Sequence, residues 1–149
     1  MIGIDTKGLT DQWADFLNQW KWDWYATLTF KDPISIKKAF KSFNEWKVAL
    51  KHAVKQRIDY AMVIEYSKSK LYIPHIHIFL SGAKNEKPYK WEKRWYQIGG
   101  IAKIKGYNPE QGASYYLAKK IAGGKVDLKL SKNLQHLEDN SDNDKTINA

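Results

Sequence analysis

Two nine-residue runs, "DYAMVIEYS" from Asp59 to Ser67 and "IPHIHIFLS" from Ile73 to Ser81, stand five residues apart and constrain the fold more than any other feature of the chain. Both are rich in β-branched and aromatic residues, which suit a pleated, half-buried surface. The intervening "KSKLY" suits a hairpin connection, so the two strands are expected to be antiparallel neighbours.

Around this pair, helix and strand patterns alternate. Trp13, Phe16, Leu17 and Trp20 follow the i, i+3, i+4, i+7 spacing of a first helix, with Thr10 as its expected N-cap. "WYATLTF", Trp24 to Phe30, reads as a strand ending at Asp32-Pro33, where Asp can cap and Pro can open the next helix. Ile36, Phe40, Phe43, Trp46, Leu50 and Val54 then predict a long amphipathic helix with lysines on its outer side. A further helix around Trp91, Trp95 and Ile98 stops at Gly99-Gly100, and "GIAKIKGY" follows as a strand. Asn108, Pro109 and Gln111 predict the start of a last helix running to Gly123-Gly124. This order predicts an α+β domain, an antiparallel sheet with packed helices of ferredoxin-like or RRM-like character.

A chain of 149 residues, 43% of them hydrophobic, is enough for one core, and a single domain over residues 1–130 is expected. From Ser131 the sequence turns polar and acidic, and residues 131–149 are expected to form a disordered tail. The net charge of +9 is therefore concentrated: the first 130 residues hold 23 basic against 12 acidic residues, a surplus that attracts nucleic acid before any other polyanion. The absence of cysteine excludes a disulfide framework, thiolate metal ligands and a cysteine nucleophile. With no signal-peptide pattern and no long apolar window, the expectation is a soluble, cytoplasmic protein without membrane contact.

The chemistry concentrates in the hairpin. Alternation puts His75, His77 and Phe79 on one face of their strand and Ile76, Ile78 and Leu80 on the other. Two imidazoles about 7 Å apart along a strand can share a metal ion. In the neighbouring strand Val63, Glu65 and Ser67 share a face, so Glu65 can sit beside the histidines. Two imidazoles and a carboxylate suit Mn²⁺ or Mg²⁺, and ligand type also admits Zn²⁺. In "GASYYLAKKIAGG" a core stripe through Ala113, Leu117 and Ile121 leaves Tyr115 and Tyr116 at its edges and Lys119 and Lys120 facing away from it. Tyr116 and Lys119, three apart, are helix-surface neighbours, and nearby positive charge is what a phenol needs to become a nucleophile. "KPYKWEKRWYQ" interleaves Tyr89, Trp91, Trp95 and Tyr96 with Lys87, Lys90, Lys93 and Arg94, a mix that stacks bases and neutralises phosphates; Trp91, Trp95 and Ile98 also fall on one face suited to the core.

Taken together, "ATLTF", His75-Ile76-His77 and Tyr116-Leu117-Ala118-Lys119 resemble, in that order, the three motifs of the HUH endonucleases of the rolling-circle replication initiator (Rep) class, over roughly Trp24 to Ile121. The resemblance implies a single-tyrosine enzyme in which Glu65, His75 and His77 hold Mn²⁺ or Mg²⁺. Tyr116 would attack single-stranded DNA to give a 5′-phosphotyrosine and a free 3′-hydroxyl, and Lys119 would assist. It also implies DNA contacts at Thr27, Thr29, Lys90, Lys93, Arg94 and Lys120, a substrate presented as a single strand or origin hairpin, and a plasmid or viral source. Many relatives carry an aromatic residue where Lys120 stands, and Tyr115 with Lys119 offers a competing YxxxK reading. No GxxxxGK[ST] loop occurs in the sequence, so a host helicase and polymerase are the expected partners, with a monomer expected in isolation. Two alternatives stay open: a single-tyrosine DNA transposase with the same chemistry, and a non-enzymatic ferredoxin-like nucleic-acid-binding module whose histidines are structural.

Overall fold

The computed structural model describes residues 6–67, 73–124 and 126–134. Their elements run α1 (Thr6–Leu17), β1 (Trp24–Thr29), α2 (Ile36–Val54), β2 (Asp59–Ser67), β3 (Ile73–Ser81), α3 (Pro88–Ile98), β4 (Ala102–Gly106), a short 3-10 turn (Pro109–Gln111), α4 (Ala113–Ala122) and β5 (Val126–Leu130). The "KSKLY" connection lies outside the described residues.

The strands form one five-stranded sheet in the order β4-β1-β3-β2-β5, and every pairing is antiparallel. The unit β1-α2-β2-β3-α3-β4 with order 4-1-3-2 is the ferredoxin-like arrangement. β5, which the sequence pattern did not reveal, is added at the free edge of β2. Its five residues alternate between half-buried and exposed, too short a signal beside the glycines that precede it. No helix among the described residues is long and apolar enough to cross a membrane.

Strand alternation divides the interior into two cores. On one face Trp24, Leu28, Ile64, Ile76, Ile78 and Leu80 pack under Phe43 and Trp46 of α2 and Trp91 and Trp95 of α3. On the other, Ala61, Val63 and Phe79 meet Leu17 of α1 and Leu117 and Ala118 of α4. Trp91 and Trp95 are buried, and their indole N–H groups donate to Glu86 Oε1 at 2.9 Å and to the Thr29 carbonyl at 2.8 Å. Their role is therefore packing, not base stacking, while Tyr89 and Tyr96 of the same stretch remain exposed.

Helix boundaries differ from the sequence expectation in three places. α1 begins at Thr6 with Thr10 buried inside it, because Leu9 extends the stripe through Trp13 by one turn. α2 is capped by Ser35, whose Oγ accepts from the Lys38 N–H at 3.1 Å, and not by Asp32. Asn108 does cap, accepting from the Glu110 N–H at 2.9 Å, but Gly112 at φ +75° interrupts after one 3-10 turn and α4 starts afresh at Ala113.

The folded part also runs past residue 130. Ser131 Oγ accepts from the Tyr60 N–H at 3.0 Å and donates to Asp59 Oδ1 at 3.2 Å, Asn133 Nδ2 donates to the same oxygen at 3.0 Å, and Leu134 is fully buried. A polar composition concealed these contacts, since Ser131 and Asn133 are of the residue types that also mark a solvated tail. Residues 135–149 lie outside the described residues.

Candidate active site

The site grows out of the register of three strands. β3 lies between β1 and β2, pairing His77 with Thr27 on one side and Val63 on the other, and pairing His75 with Thr29 and Glu65. Because paired residues in adjacent strands point to the same face, Thr27, Thr29, Glu65, His75 and His77 form one polar patch. Phe79, Tyr25 and Ala61 continue the same face as an apolar floor, with the Tyr25 and Phe79 rings edge to face at 5.3 Å.

α4 covers this patch. Leu117 and Ala118 are fully buried in the second core, a contact worth about 1.5–3 kcal/mol for the leucine alone. This anchoring fixes the rotation of the helix. Tyr116 and Lys120, four apart and so stacked on one side of α4, come down on the histidine strand. The Tyr116 ring meets the His77 ring edge to face at 6.3 Å, and Lys120 Nζ lies 4.8 Å from the Tyr116 ring centroid. The same ammonium is 2.6 Å from Glu65 Oε2, while Glu65 Oε1 stands 3.5 Å from His77 Nε2. Phenol, ammonium, carboxylate and imidazole therefore form a continuous cluster from three elements.

Electrostatics follow from partial burial. Burial works to raise the Glu65 carboxyl, but the hydrogen bond and charge of Lys120, with His77 adding, outweigh it and hold the group below its ordinary value. Burial likewise pulls Lys120 down, and its bonds to Glu65 and Tyr116 reverse this and hold it above. His77 is lowered, chiefly by burial against the opposing pull of Glu65, so the imidazole is neutral near pH 7. Tyr25 is raised by burial first and by Tyr116 second.

His77 is also incomplete. Its Nδ1 faces Thr27 Oγ1 at 3.5 Å, yet its buried Nε2 has no hydrogen-bond partner. A buried, neutral imidazole nitrogen left unpaired beside a carboxylate fits a divalent cation held by nitrogen and oxygen donors. His75 lies on the same face, opposite Glu65. Among the described residues no three His, Asp or Glu side chains are gathered closely enough to hold an ion, and the ammonium of Lys120 sits on the carboxylate.

The other expected contacts are placed differently. Thr29 donates from Oγ1 to the Ile101 carbonyl at 3.1 Å. Lys90, Lys93 and Arg94 are exposed on α3, which packs against the opposite face of the sheet, so they are not brought together with the site. Tyr115 and Tyr116 are equally exposed, at 47% and 48%, but consecutive helical residues diverge by about 100°, and it is Tyr116 that meets His77. Lys119 is exposed, whereas Lys120 enters the cluster. Sequence reasoning had faced both lysines away from the core, and it missed Tyr25, which the alternation of Tyr25, Thr27 and Thr29 with Trp24, Ala26 and Leu28 could have revealed.

Comparison with known proteins adds a family. The family model described as replication-associated protein ORF2 matches residues 23–124, a span from β1 through α4 that contains every residue of the cluster. No curated protein and no solved structure gives a match.

Proposed function

The chain belongs to the replication-associated protein ORF2 family, and from that premise we propose that it nicks and rejoins single-stranded DNA with Tyr116 as the nucleophile. The observation that carries this reading is the meeting of Tyr116, Lys120, Glu65 and His77 on one sheet face.

A phenol attacks phosphorus effectively only as its anion. The half-exposed Tyr116 hydroxyl can release its proton to water, with the Lys120 ammonium beside the ring to stabilise the phenolate. The phenolate oxygen then bonds to the phosphorus of the scissile phosphodiester as the bond to the 3′ oxygen breaks. That oxygen takes a proton from water and leaves as a free 3′-hydroxyl, and the 5′ phosphate remains on Tyr116. Since one phosphodiester replaces another, the hydroxyl can reverse the step without ATP, or prime a polymerase. Glu65, His75 and His77 would hold Mn²⁺ or Mg²⁺, which when bound supplies positive charge to a non-bridging phosphate oxygen. Thr27 and Thr29, on the β1 side of the histidines, would border the path of the strand. Lys120 takes the part that the motif spacing gave to Lys119. Unwinding would come from a partner helicase.

Covalent capture tests the reading. Incubation with origin-derived single strands and Mn²⁺ should give a slower-migrating protein–DNA adduct that disappears in Tyr116→Phe and persists in Tyr115→Phe. Capture surviving in Tyr116→Phe would overturn the nucleophile, and its absence from the unaltered protein with every substrate would overturn the activity.

A further inference from the structure

A second surface lies on the far side of the sheet from the cluster. Lys37, Lys41, Lys47 and Lys51 recur along α2 at steps of four, six and four, which places them on one side of the helix. Lys129 faces them from β5, where it is paired with Met62, a residue of the α2-side core. Between them runs a cleft of about 710 Å³, lined also by Phe40 and Tyr60, and a second cleft that shares Lys47, Tyr60 and Lys129 extends it towards Arg57 and Lys132. The result is a basic trough.

Its charges are uncompensated. Asp59 is the one acid in its lining, and that carboxylate is already taken by Arg57 at 3.0 Å and by Ser131 and Asn133. Among the described residues none of the five lysines has a carboxylate within 4.0 Å. Lys47 is half-buried, and burial, then Lys51 and Lys129, lower its affinity for a proton. Crowding ammonium groups in a cleft is unfavourable for the free protein and favourable once a polyanion enters.

The kind of polyanion follows from the rings. Single-strand surfaces offer open aromatic faces to bases, but here Lys129 Nζ covers Phe40 at 5.0 Å and Lys47 Nζ covers Tyr60 at 5.1 Å. The trough offers phosphate contacts without a stacking platform. The stretch from Lys37 to Lys51 spans about 21 Å at 1.5 Å per residue, or about six base pairs at 3.4 Å each. We propose that the α2–β5 trough binds the phosphate backbone of duplex DNA, holding the stem or flanking duplex behind the sheet while the single strand passes to Tyr116 in front. This deepens the reading of the cluster as a DNA-nicking site and rests on it.

Two measurements on the full chain separate the two claims. With Lys37, Lys41, Lys47 and Lys51 all changed to Gln, fluorescence anisotropy with a labelled hairpin stem should show at least tenfold weaker binding at fixed salt. The slope of log K against log salt should fall by about three, at about 0.9 per lost phosphate contact. Lys129→Gln alone, on the facing wall, should lower the slope by about one. Covalent capture of a fully single-stranded oligonucleotide by either variant should stay within twofold of the unaltered protein. Unchanged stem affinity and slope would overturn the proposal, as would stronger retention of single strands or anionic vesicles than of the stem. Absence of capture by the unaltered protein would sink the nicking activity, and the stem-binding data would then judge the trough by themselves.

Discussion

Changing Lys120 to Met removes an ammonium while keeping a stem of similar length, and so isolates the charge at the centre of the cluster. In the folded protein Nζ lies 2.6 Å from Glu65 Oε2, with 19% of the lysine side chain and 34% of the glutamate side chain exposed. The bare attraction at that distance is about 6 kcal/mol at an effective dielectric of 20. Desolvation, ordering and solvent screening remove most of it, and a partly exposed, hydrogen-bonded charge pair nets about 1–2 kcal/mol. At about 2–4 °C per kcal/mol for a chain of this size, Lys120→Met should melt about 2–8 °C lower near pH 7 in EDTA. Glu65 is depressed, because Lys120 and His77 outweigh the burial that would raise it, so its contribution is present above about pH 4.3 and is lost as pH falls through the folded value. Lys120 is raised, so its contribution is complete below about pH 10.4 and is lost as pH rises through the folded value. The melting gap between the two proteins should therefore be widest between about pH 5 and pH 9 and should close towards pH 3.

The same variant separates the roles of Lys120. A divalent ion that binds Glu65 must displace the ammonium, so thermal shifts with Mn²⁺ should report about 5–30-fold tighter metal binding, the equivalent of 1–2 kcal/mol. Covalent capture should instead slow by about 10²-fold as the phenolate loses its neighbouring charge. A gap that is equal at pH 3 and pH 7 would refute the ion pair. Unchanged metal affinity with unchanged capture would refute its place in the site.

Three further outcomes follow from buried groups. His77 is held neutral by burial, so the metal-free protein should lose stability as pH falls below about 6.5, and His77→Gln should flatten that part of a melting-temperature profile and abolish stabilisation by Mn²⁺. A Cβ at Gly100 would lie 1.7 Å from the Thr29 carbonyl, so Gly100→Ala must displace the end of β1 and should cost about 3 kcal/mol in urea unfolding. Leu134→Ala should cost about 2–4 kcal/mol in the same assay, whereas a residue outside the folded part would cost almost nothing.

Much of this organisation was legible in residue order. The period-two alternation of β2 and β3 put His75, His77 and Glu65 on one face, and the observed register, with Glu65 opposite His75, has the same parity. The three- and four-residue spacing of Ile36 to Val54 described α2 along its whole length. Other features were not legible. β5 is five residues long and takes its place only because β2 presents a free edge. Ser131, Asn133 and Leu134 look like tail by composition and are structural by virtue of Asp59 and the second core, more than 70 positions back in the chain.

The lysines show the division most clearly. Adjacent residues on a helix point about 100° apart, and local spacing allows Tyr116 to pair with either Lys119 or Lys120. The rotation of α4 is set by how Leu117 and Ala118 seat against Val63 and Phe79, residues of other strands. The sequence by itself determined which groups share a face, since that depends only on the period of the local backbone. Only the tertiary structure decided which of them touch, because contact between elements depends on packing that no single stretch of sequence contains.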